Sequence, residues 1–572
     1  MEEEKNKVDN IENNILNEEA VLDKEKKKIQ EIGKELETGE RSIKKENQIP
    51  GKSNDFVSRT EKIKNWFKDP YFLGFIGIMI LAFAIRMYFF WITKNQAVWW
   101  DEGEYMVRVK HIVLGTASSG FFSGRELFTP YLWSVFYYLS KSEVLIRFIQ
   151  VIISTLTVAV TYFLGKEVYD KRTGLIGSLL MTFFWLHLFF TCRLLTYLYT
   201  PLFYTLALVL FWKGYCSELK QDKYLFLSFV TIIIGLGIYS SITFAAITIV
   251  LYLLLTEKFA FLKNKRLWKY GLLSLPFLLL SFIPSYIVQG SFIPRLTQMG
   301  EATQQGTGLG LPGILTYFSM MPRLTLLIWT ILLILSLLVV VRIFFYVDLI
   351  LKNKAPAYLK KDLFIFLGAL VQFVFYTYVA MKIGGSYDAW ILGVFPFLFI
   401  LIARFVFEVK DYFSKVNINY GKVFVLVILI ILAISCYQHF QFADSSIKAK
   451  IPSFQSLIPA GEWIKQHSNL SDIVISSSLP QMAYYSERET YPYLRNVPTA
   501  DDPTIRLNES DFDNFVQLKK PRYITDSLFE AVPDWVHVYA QKHNDTLTPV
   551  QAYYLDAQKT QLSLIIYEVK YA

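Results

Sequence analysis

The stretch YFLGFIGIMILAFAIRMYFFWITKNQAVWWDEG, residues 71–103, decides the fold of this protein. Its apolar part, residues 71–93, has the length that an α-helix needs to cross a bilayer. Two adjacent carboxylates, Asp101 and Glu102, follow shortly after it. Because ionised carboxylates are costly near lipid, this position indicates a function at the membrane surface, such as receiving a proton or holding a cation. The alternative is that the pair only solvates a loop.

The remainder of the chain has the same character. Of its 572 residues, 53% are hydrophobic and 17% aromatic, and the mean hydropathy is +0.33. These values are typical of an α-helical polytopic membrane protein. The long apolar runs predict about eleven transmembrane helices, at residues 71–93, 144–164, 174–190, 197–212, 224–239, 242–255, 270–287, 324–345, 363–380, 390–405 and 423–437.

The short connectors between these runs predict the orientation. Lysine and arginine are concentrated in alternate connectors, at residues 166–172, 213–223, 258–269, 349–361 and 410–422. Because basic loops are retained on the cytoplasmic side, we expect a multi-pass protein of the cell membrane with a cytoplasmic amino terminus. Asp101, Glu102 and the carboxyl-terminal region would then lie outside. The net charge of +9 follows from this topology and gives no reason to expect a nucleic-acid partner.

Composition divides the chain into three regions. Residues 1–65 are rich in Glu, Lys and Asn, which predicts a disordered, charged cytoplasmic tail. Residues 66–437 form the predicted transmembrane domain. Residues 438–572 have the composition of a small soluble α/β domain, outside the membrane, with helices at 459–467 and 481–488 and strands at 472–476 and 561–570.

Two of the predicted outer loops are long, at residues 94–143 and 289–323. The first is rich in aromatic residues, which favours one or two short helices on the bilayer surface. The second has a Gly-rich centre, residues 300–313, which is typical of a mobile lid or of a flexible linker.

The three cysteines, Cys192, Cys216 and Cys436, lie in or beside predicted spans. This placement excludes a disulfide framework in the outer segments. The sequence contains no cysteine and histidine cluster with the spacing of a structural zinc site.

Several motifs follow one another in a characteristic order. Tyr105 comes after Asp101 and Glu102, residues 129–133 read Thr-Pro-Tyr-Leu-Trp in the first outer loop, and Arg147 lies early in the next helix. With this order, residues 64–437 resemble the GT-C superfamily of membrane glycosyltransferases. The resemblance is strongest to the branch of dolichyl-phosphate-mannose protein mannosyltransferases and bacterial aminoarabinose transferases.

The resemblance implies a glycosyltransferase that moves a single sugar, with inversion, from dolichyl or undecaprenyl phosphate. The acceptor would be a protein, glycan or lipid at the outer face, and membrane lipids would surround the enzyme. Asp101 would be the base for the acceptor hydroxyl. Glu102 would orient the acceptor, raise the proton affinity of Asp101, or help to bind a divalent cation.

Other residues are candidates for substrate binding. Guanidinium groups suit the donor phosphate, and the candidates are Arg86, Arg125, Arg193 and Arg295. Arg193 is preferred because it lies between the third and fourth spans, where the family has its site. The alternative for each arginine is snorkelling to the lipid headgroups.

Three further candidates have other side chains. Tyr105 would stack on the sugar or anchor the loop at the interface. Glu126 would contact the acceptor or a metal ion, and Asp388 would reach the site from a later loop.

The chain also departs from the family pattern. Residues 191–201 lack the carboxylate that many members have there, which favours a metal-free mechanism that uses arginine. The sequence therefore requires no cofactor, and Mg²⁺ or Mn²⁺ held by Asp101 and Glu102 is the alternative. Ala389 and Trp390 replace an arginine-tyrosine pair that is frequent at the start of a late helix.

Two alternative functions are compatible with a polytopic chain. A transporter of a lipid or polar solute would place charges near the bilayer midplane and contain internal repeats, whereas here nearly all charge lies in loops. An oligosaccharyltransferase-like enzyme would have a Trp-Trp-Asp-Tyr-Gly motif in its soluble domain. The similar stretch at residues 99–103 is in the first outer loop, so transfer of a monosaccharide is preferred.

Overall fold

The computed structural model describes residues 68–121, 125–290, 315–383, 386–493, 509–530, 532–556 and 558–571. The predicted tail, residues 1–65, the Gly-rich segment 300–313 and the candidate Arg295 lie outside the described residues.

Most of the described chain is helical. The helices of the apolar part are α1 (Pro70–Thr93), α2 (Trp100–Leu114), α3 (Phe128–Ser140), α4 (Glu143–Val168), α5 (Lys171–Phe183), α6 (Trp185–Phe190), α7 (Tyr199–Phe211), α8 (Asp222–Ile238), α9 (Phe244–Glu257), α10 (Lys265–Ser274), α11 (Leu279–Gln289), α12 (Thr316–Phe345), α13 (Val347–Leu351), α14 (Ala357–Ile383), α15 (Phe395–Val416) and α16 (Ile418–Lys450). Shorter turns of 3-10 helix lie between some of them, at Thr196–Leu198, Ser240–Thr243, Lys258–Lys263, Leu275–Leu278 and Asp388–Val394.

Within the described residues, eight helical segments are long and apolar enough to cross a membrane. The predicted spans at 174–190, 197–212 and 224–239 are also helical, as α5 with α6, α7 and α8, but these helices are shorter. The prediction of a multi-pass α-helical membrane protein is confirmed. The number of eleven spans and the orientation of the termini stay predictions.

Close helix packing depends on glycine where α4 meets α5. A Cβ on Gly165 would lie 2.7 Å from the Cα of Gly174. Small residues allow this approach, which is a common means of helix association in membranes.

The segment predicted as the first outer loop contains two helices, α2 and α3. Gly115 ends α2 with a φ of +70°, and its N–H donates to the carbonyl of His111. A positive φ at this position suits glycine.

The last membrane helix, α16, continues to Lys450, so the predicted domain boundary at residue 438 lies inside a helix. The sheet-bearing part then contains α17 (Leu457–His467), β1 (Ile473–Ser476), α18 (Leu479–Ser486), β2 (Glu489–Tyr491), α19 (Glu509–Lys519), β3 (Tyr523–Ser527), α20 (Asp534–Lys542), β4 (Leu547–Tyr554) and β5 (Leu562–Val569). The strand order is β2-β1-β3-β5-β4. β1 is parallel to β2 and β3, and β5 is antiparallel to β3 and β4. The prediction of a small carboxyl-terminal α/β domain is thereby confirmed.

Helix α18 of this domain packs directly on α2. A Cβ on Gly103 would lie 3.0 Å from the carbonyl carbon of Pro480, so glycine permits the close approach. The hydroxyl of Tyr485 accepts from the N–H of Val98 at 2.8 Å, and the Lys110 ammonium forms an ion pair with Glu487 at 2.9 Å. The α/β domain therefore holds the helix that carries the acidic motif.

Candidate active site

The acidic motif occupies the first turn of α2, where carboxylates are favoured by the helix dipole. Asp101 and Glu102 lie in this turn, and a third carboxylate, Glu104, follows two residues later. Their surroundings differ, and these differences assign different roles to them.

Glu102 is fully buried and accepts backbone hydrogen bonds from two segments. Trp99 N–H donates to its Oε2 at 2.7 Å, and Leu194 N–H donates to its Oε1 at 2.8 Å. The guanidinium of Arg147 lies 3.9 Å away and itself donates to the carbonyl of Cys192 at 2.8 Å. Glu102 therefore joins the start of α2 to the connector before α7.

Asp101 is the more accessible carboxylate, with a side chain that is 33% exposed. Its Oδ1 lies 2.8 Å from Nη2 of Arg125, and its Oδ2 accepts from the Tyr197 hydroxyl at 3.3 Å. Nε of the same arginine lies 2.7 Å from Glu104. Arg125 therefore orients Asp101 and Glu104 together.

Glu104 was not among the predicted site residues, although it lies three positions after Asp101 and so on the same face of a helix. Burial raises the pKa of its carboxyl to about 6, and Arg125 opposes this shift. Trp100 Nε1 also donates to it, at 3.1 Å.

The raised pKa of Glu104 has a measurable consequence for stability. The carboxyl of Glu104 binds its proton more tightly in the folded than in the unfolded state. The protonated group therefore stabilises the folded protein fully at pH values below its ordinary pKa, and this stabilisation is lost as the pH rises through about 6. We expect about 2 kcal/mol of unfolding free energy to be lost in this way. Thermal unfolding of wild type and Glu104→Gln between pH 4.5 and 7 measures it. Parallel pH profiles for the two proteins would contradict the assignment.

Arg193 is buried, at 2% exposure, in the connector before α7. Its guanidinium lies 3.5 Å from the ring centroid of Trp99, and burial lowers its pKa to about 10. Among the described residues, its buried Nη1 has no hydrogen-bond partner. Since buried donors are nearly always paired, this one is available to an anionic ligand.

Two tyrosines that the sequence analysis did not select connect these groups. The ring centroid of Tyr197 lies 5.4 Å from that of Tyr387. Burial raises the pKa of the Tyr387 hydroxyl, Asp101 raises it further, and Arg193 lowers it. The charges of Asp101 and Arg193 therefore both reach the Tyr387 hydroxyl.

Tyr105 and Glu126 are buried and hold the loop in place. Tyr105 is 1% exposed, and its hydroxyl lies 3.2 Å from that of Thr196. Glu126 accepts from the N–H of Ser240 at 3.1 Å, which ties the first outer loop to the turn before α9.

Arg86 lies in a separate buried network. It donates from Nε to Ser154 at 2.6 Å and from Nη1 to the carbonyls of Ala82 and Thr182, and its Nη2 lies 3.2 Å from Nδ1 of His187. These bonds show that Arg86 has a structural role, unlike Arg193.

The candidate Asp388 forms an ion pair with Arg323 at 2.5 Å. It is adjacent in sequence to Tyr387.

No group of three or more His, Cys, Asp or Glu side chains in the described part of the chain has the geometry to hold a metal ion. Both oxygens of Glu102 already accept backbone N–H groups. Glu102 is also fully buried, whereas the side chain of Asp101 is 33% exposed, so Asp101 is the carboxylate of the predicted pair that a ligand can reach.

Comparison with known proteins gives independent information on the family and fold that this chain resembles. Residues 125–286 match the family described as dolichyl-phosphate-mannose-protein mannosyltransferase. No protein with a curated description matches the chain.

Several solved structures share the fold. ArnT from Cupriavidus metallidurans bound to undecaprenyl phosphate has a TM-score of 0.57 and 13% identity, over 86% of this chain and 97% of that one. The oligosaccharyltransferase of Archaeoglobus fulgidus in the apo form has a TM-score of 0.55 and 14% identity, over 81% and 70%. AglB of the same organism, in complex with an inhibitory peptide and a dolichol-phosphate, has a TM-score of 0.53 and 14% identity, over 88% and 75%.

The predicted resemblance is confirmed, because the family match and the fold agree. The chain aligns with nearly all of ArnT but with a smaller share of the oligosaccharyltransferase.

Proposed function

We propose that this chain, which has the fold of the GT-C membrane glycosyltransferases, transfers a single sugar from a polyprenyl phosphate to an acceptor at the outer face of the membrane. The polyprenyl phosphates bound by ArnT and AglB support this class of donor. The match of residues 125–286 to the mannosyltransferase family supports a monosaccharide as the group transferred. The basic connectors between spans support an outer location of the acidic motif.

Asp101 is the base of the proposed reaction. It takes the proton from the acceptor hydroxyl as the oxygen attacks the anomeric carbon from the side opposite the phosphate, so the configuration inverts. The bond between the anomeric carbon and the phosphate oxygen breaks, and polyprenyl phosphate leaves with the electron pair. The observation that carries this role is the contrast between accessible Asp101, held by Arg125 and Tyr197, and fully buried Glu102.

Arg193 is the proposed ligand of the leaving phosphate. Its unpaired Nη1 supplies a donor where negative charge develops. Its stacking on Trp99 fixes the plane of the guanidinium, so the side chain loses little conformational entropy when it binds the phosphate. The proposal needs no Mg²⁺ or Mn²⁺, and transfer assays after chelation and metal addition test this part of it.

Release of the lipid product distinguishes the proposed function from its alternatives. We expect purified protein to release polyprenyl phosphate from a labelled lipid-linked monosaccharide only when an extract of cell-surface glycans, proteins and lipids is added as acceptor. A transporter would move the substrate without breaking its bond. Preference for an oligosaccharide-linked donor would favour an oligosaccharyltransferase-like enzyme.

A further inference from the structure

A cavity of about 980 Å³ lies beside the candidate active site. Its wall comprises Trp99, the turn between α16 and α17, and residues at the ends of β3 and β4. Both β1 and β3 are parallel strands that point their carboxyl ends toward this side of the domain. This edge of an α/β sheet is where ligands commonly bind.

Five of the thirteen residues that line the cavity are aromatic. They are Trp99, Phe454, Phe529, Tyr553 and Tyr554. Such rings offer flat apolar surface together with polar edges, and sugar rings, with their apolar faces and hydroxyl rims, are complementary to them.

The polar side chains of the wall carry no negative charge. Among the described residues that line the cavity, Lys450 is the one charged side chain, and Ser453 and Gln455 add neutral donors and acceptors. Gln455 Oε1 accepts from the N–H of Ala97 at 3.2 Å, which ties this turn to the acidic motif. The lining therefore suits a neutral or anionic ligand that is rich in hydroxyl groups.

Trp99 connects the cavity to the chemistry. Its ring lies against Arg193 at 3.5 Å and also forms part of the cavity wall. Its backbone N–H binds Glu102, and Asp101 is two residues further on. Trp99 therefore joins the cavity to Arg193 and to the segment that carries Asp101, although neither of these two residues lines the cavity itself.

The turn between α16 and α17, which forms part of the cavity wall, has a strained backbone. Phe454 has a φ of +63°, which is unfavourable for a bulky residue, and its ring centroid lies 5.3 Å from that of Phe529. Strain of this kind persists where the surrounding structure enforces it, and it is frequent at ligand sites. Here it presents an aromatic ring at the cavity wall.

We propose that this cavity is the acceptor subsite and that it binds a glycan chain through stacking on its aromatic wall. The inference rests on the proposed function and names its acceptor class. A peptide acceptor would instead be recognised by backbone hydrogen bonds along a strand edge, whereas this wall offers five aromatic residues for stacking.

Tyr554 and Tyr571 offer a matched pair for the test, because they are 37% and 39% exposed and only Tyr554 lines the cavity. Leu528 and Leu518, at 65% and 77% exposure, form a second pair, of which only Leu528 lines the cavity. Detergent-purified full-length protein is applied to an array of immobilised oligosaccharides and peptides. We expect wild type, Tyr571→Ala and Leu518→Ala to bind the same saccharides. Binding by Tyr554→Ala and Leu528→Ala should fall at least tenfold.

Kinetics with a bound saccharide as acceptor separate this inference from the proposed function. We expect Tyr554→Ala to raise the acceptor KM at least tenfold and to leave the donor KM unchanged. Equal acceptor KM values in Tyr554→Ala and wild type, selective peptide binding, or no saccharide binding would overturn the inference while transfer itself still stands. Saccharide binding by a wild-type protein that never cleaves the lipid donor would instead overturn the proposed function.

Discussion

Replacement of Asp101 by Asn is expected to lower kcat for sugar transfer about 10²- to 10⁴-fold, because the acceptor hydroxyl loses its general base. The amide oxygen can still accept from Arg125, and the amide NH2 can donate to the Tyr197 hydroxyl oxygen, so both groups that hold the carboxylate keep a partner. We therefore expect the variant to insert, fold and bind donor lipid normally. Single-turnover release of polyprenyl phosphate from a labelled donor, with acceptor present, measures the effect.

Asp444→Asn provides a control for this substitution. Asp444 pairs with Lys448 at 2.8 Å and lies outside the acidic motif. This variant should retain wild-type transfer. Full activity of Asp101→Asn would remove the proposed base.

Substitution of the neighbouring carboxylate, Glu102, should affect stability first. Glu102→Ala removes the counter-charge of the buried Arg147 and leaves two backbone N–H groups without their acceptor. Loss of one partner from a buried ion pair costs about 3–5 kcal/mol of stability. The Glu102 variant should therefore unfold at lower temperature, whereas the Asp101 variant should lose chemistry at unchanged stability.

Substitution of Arg193 by Met is expected to lower kcat/KM for the lipid donor about 10²- to 10³-fold, which is typical for loss of a donor that stabilises developing negative charge. Methionine fills much of the buried space, so its direct effect is on the donor Nη1 that lacks a partner among the described residues. Lysine keeps the charge but not the planar fork, and Arg193→Lys should recover only part of the loss. The measurement is donor-dependent kinetics with a labelled lipid-linked sugar.

Arg86→Met is the matched comparison, because Arg86 is also a buried arginine but donates to Ser154 and to backbone carbonyls. It should lower thermal stability with little change in the donor KM of the folded fraction. Equal loss of donor binding in both variants would show that Arg193 acts through the fold. Normal donor kinetics in Arg193→Met would exclude it as the phosphate ligand.

The sequence predicted the membrane fold and the α/β domain because both depend on local patterns. Apolar runs of bilayer length predict spanning helices, and the strands near 472–476 and 561–570 follow from short runs of β-branched and apolar residues. The end of α16 was misplaced, since its last turns, up to Lys450, are polar and resemble the soluble domain in composition.

The site was less predictable because its contacts join distant segments. The order of motifs selected Asp101 as a candidate, and the loop positions of the arginines selected Arg125 and Arg193. Glu104, Tyr197 and Tyr387 were not selected, although they contact the same groups in the structure. Carboxylates and tyrosines at an interface have many ordinary roles, and only their neighbours distinguish them.

The sequence by itself determined that this chain crosses the membrane repeatedly and carries an acidic motif after its first span, since hydrophobic length and charge placement are properties of consecutive residues. Only the tertiary structure decided how the carboxylates divide their roles. Asp101 and Glu102 are adjacent in sequence, but Glu102 enters a buried pocket with Arg147 and the backbone of Leu194, whereas Asp101 stays accessible beside Arg125. Desolvation and hydrogen bonding depend on neighbours far apart in the chain, and folding brings them together.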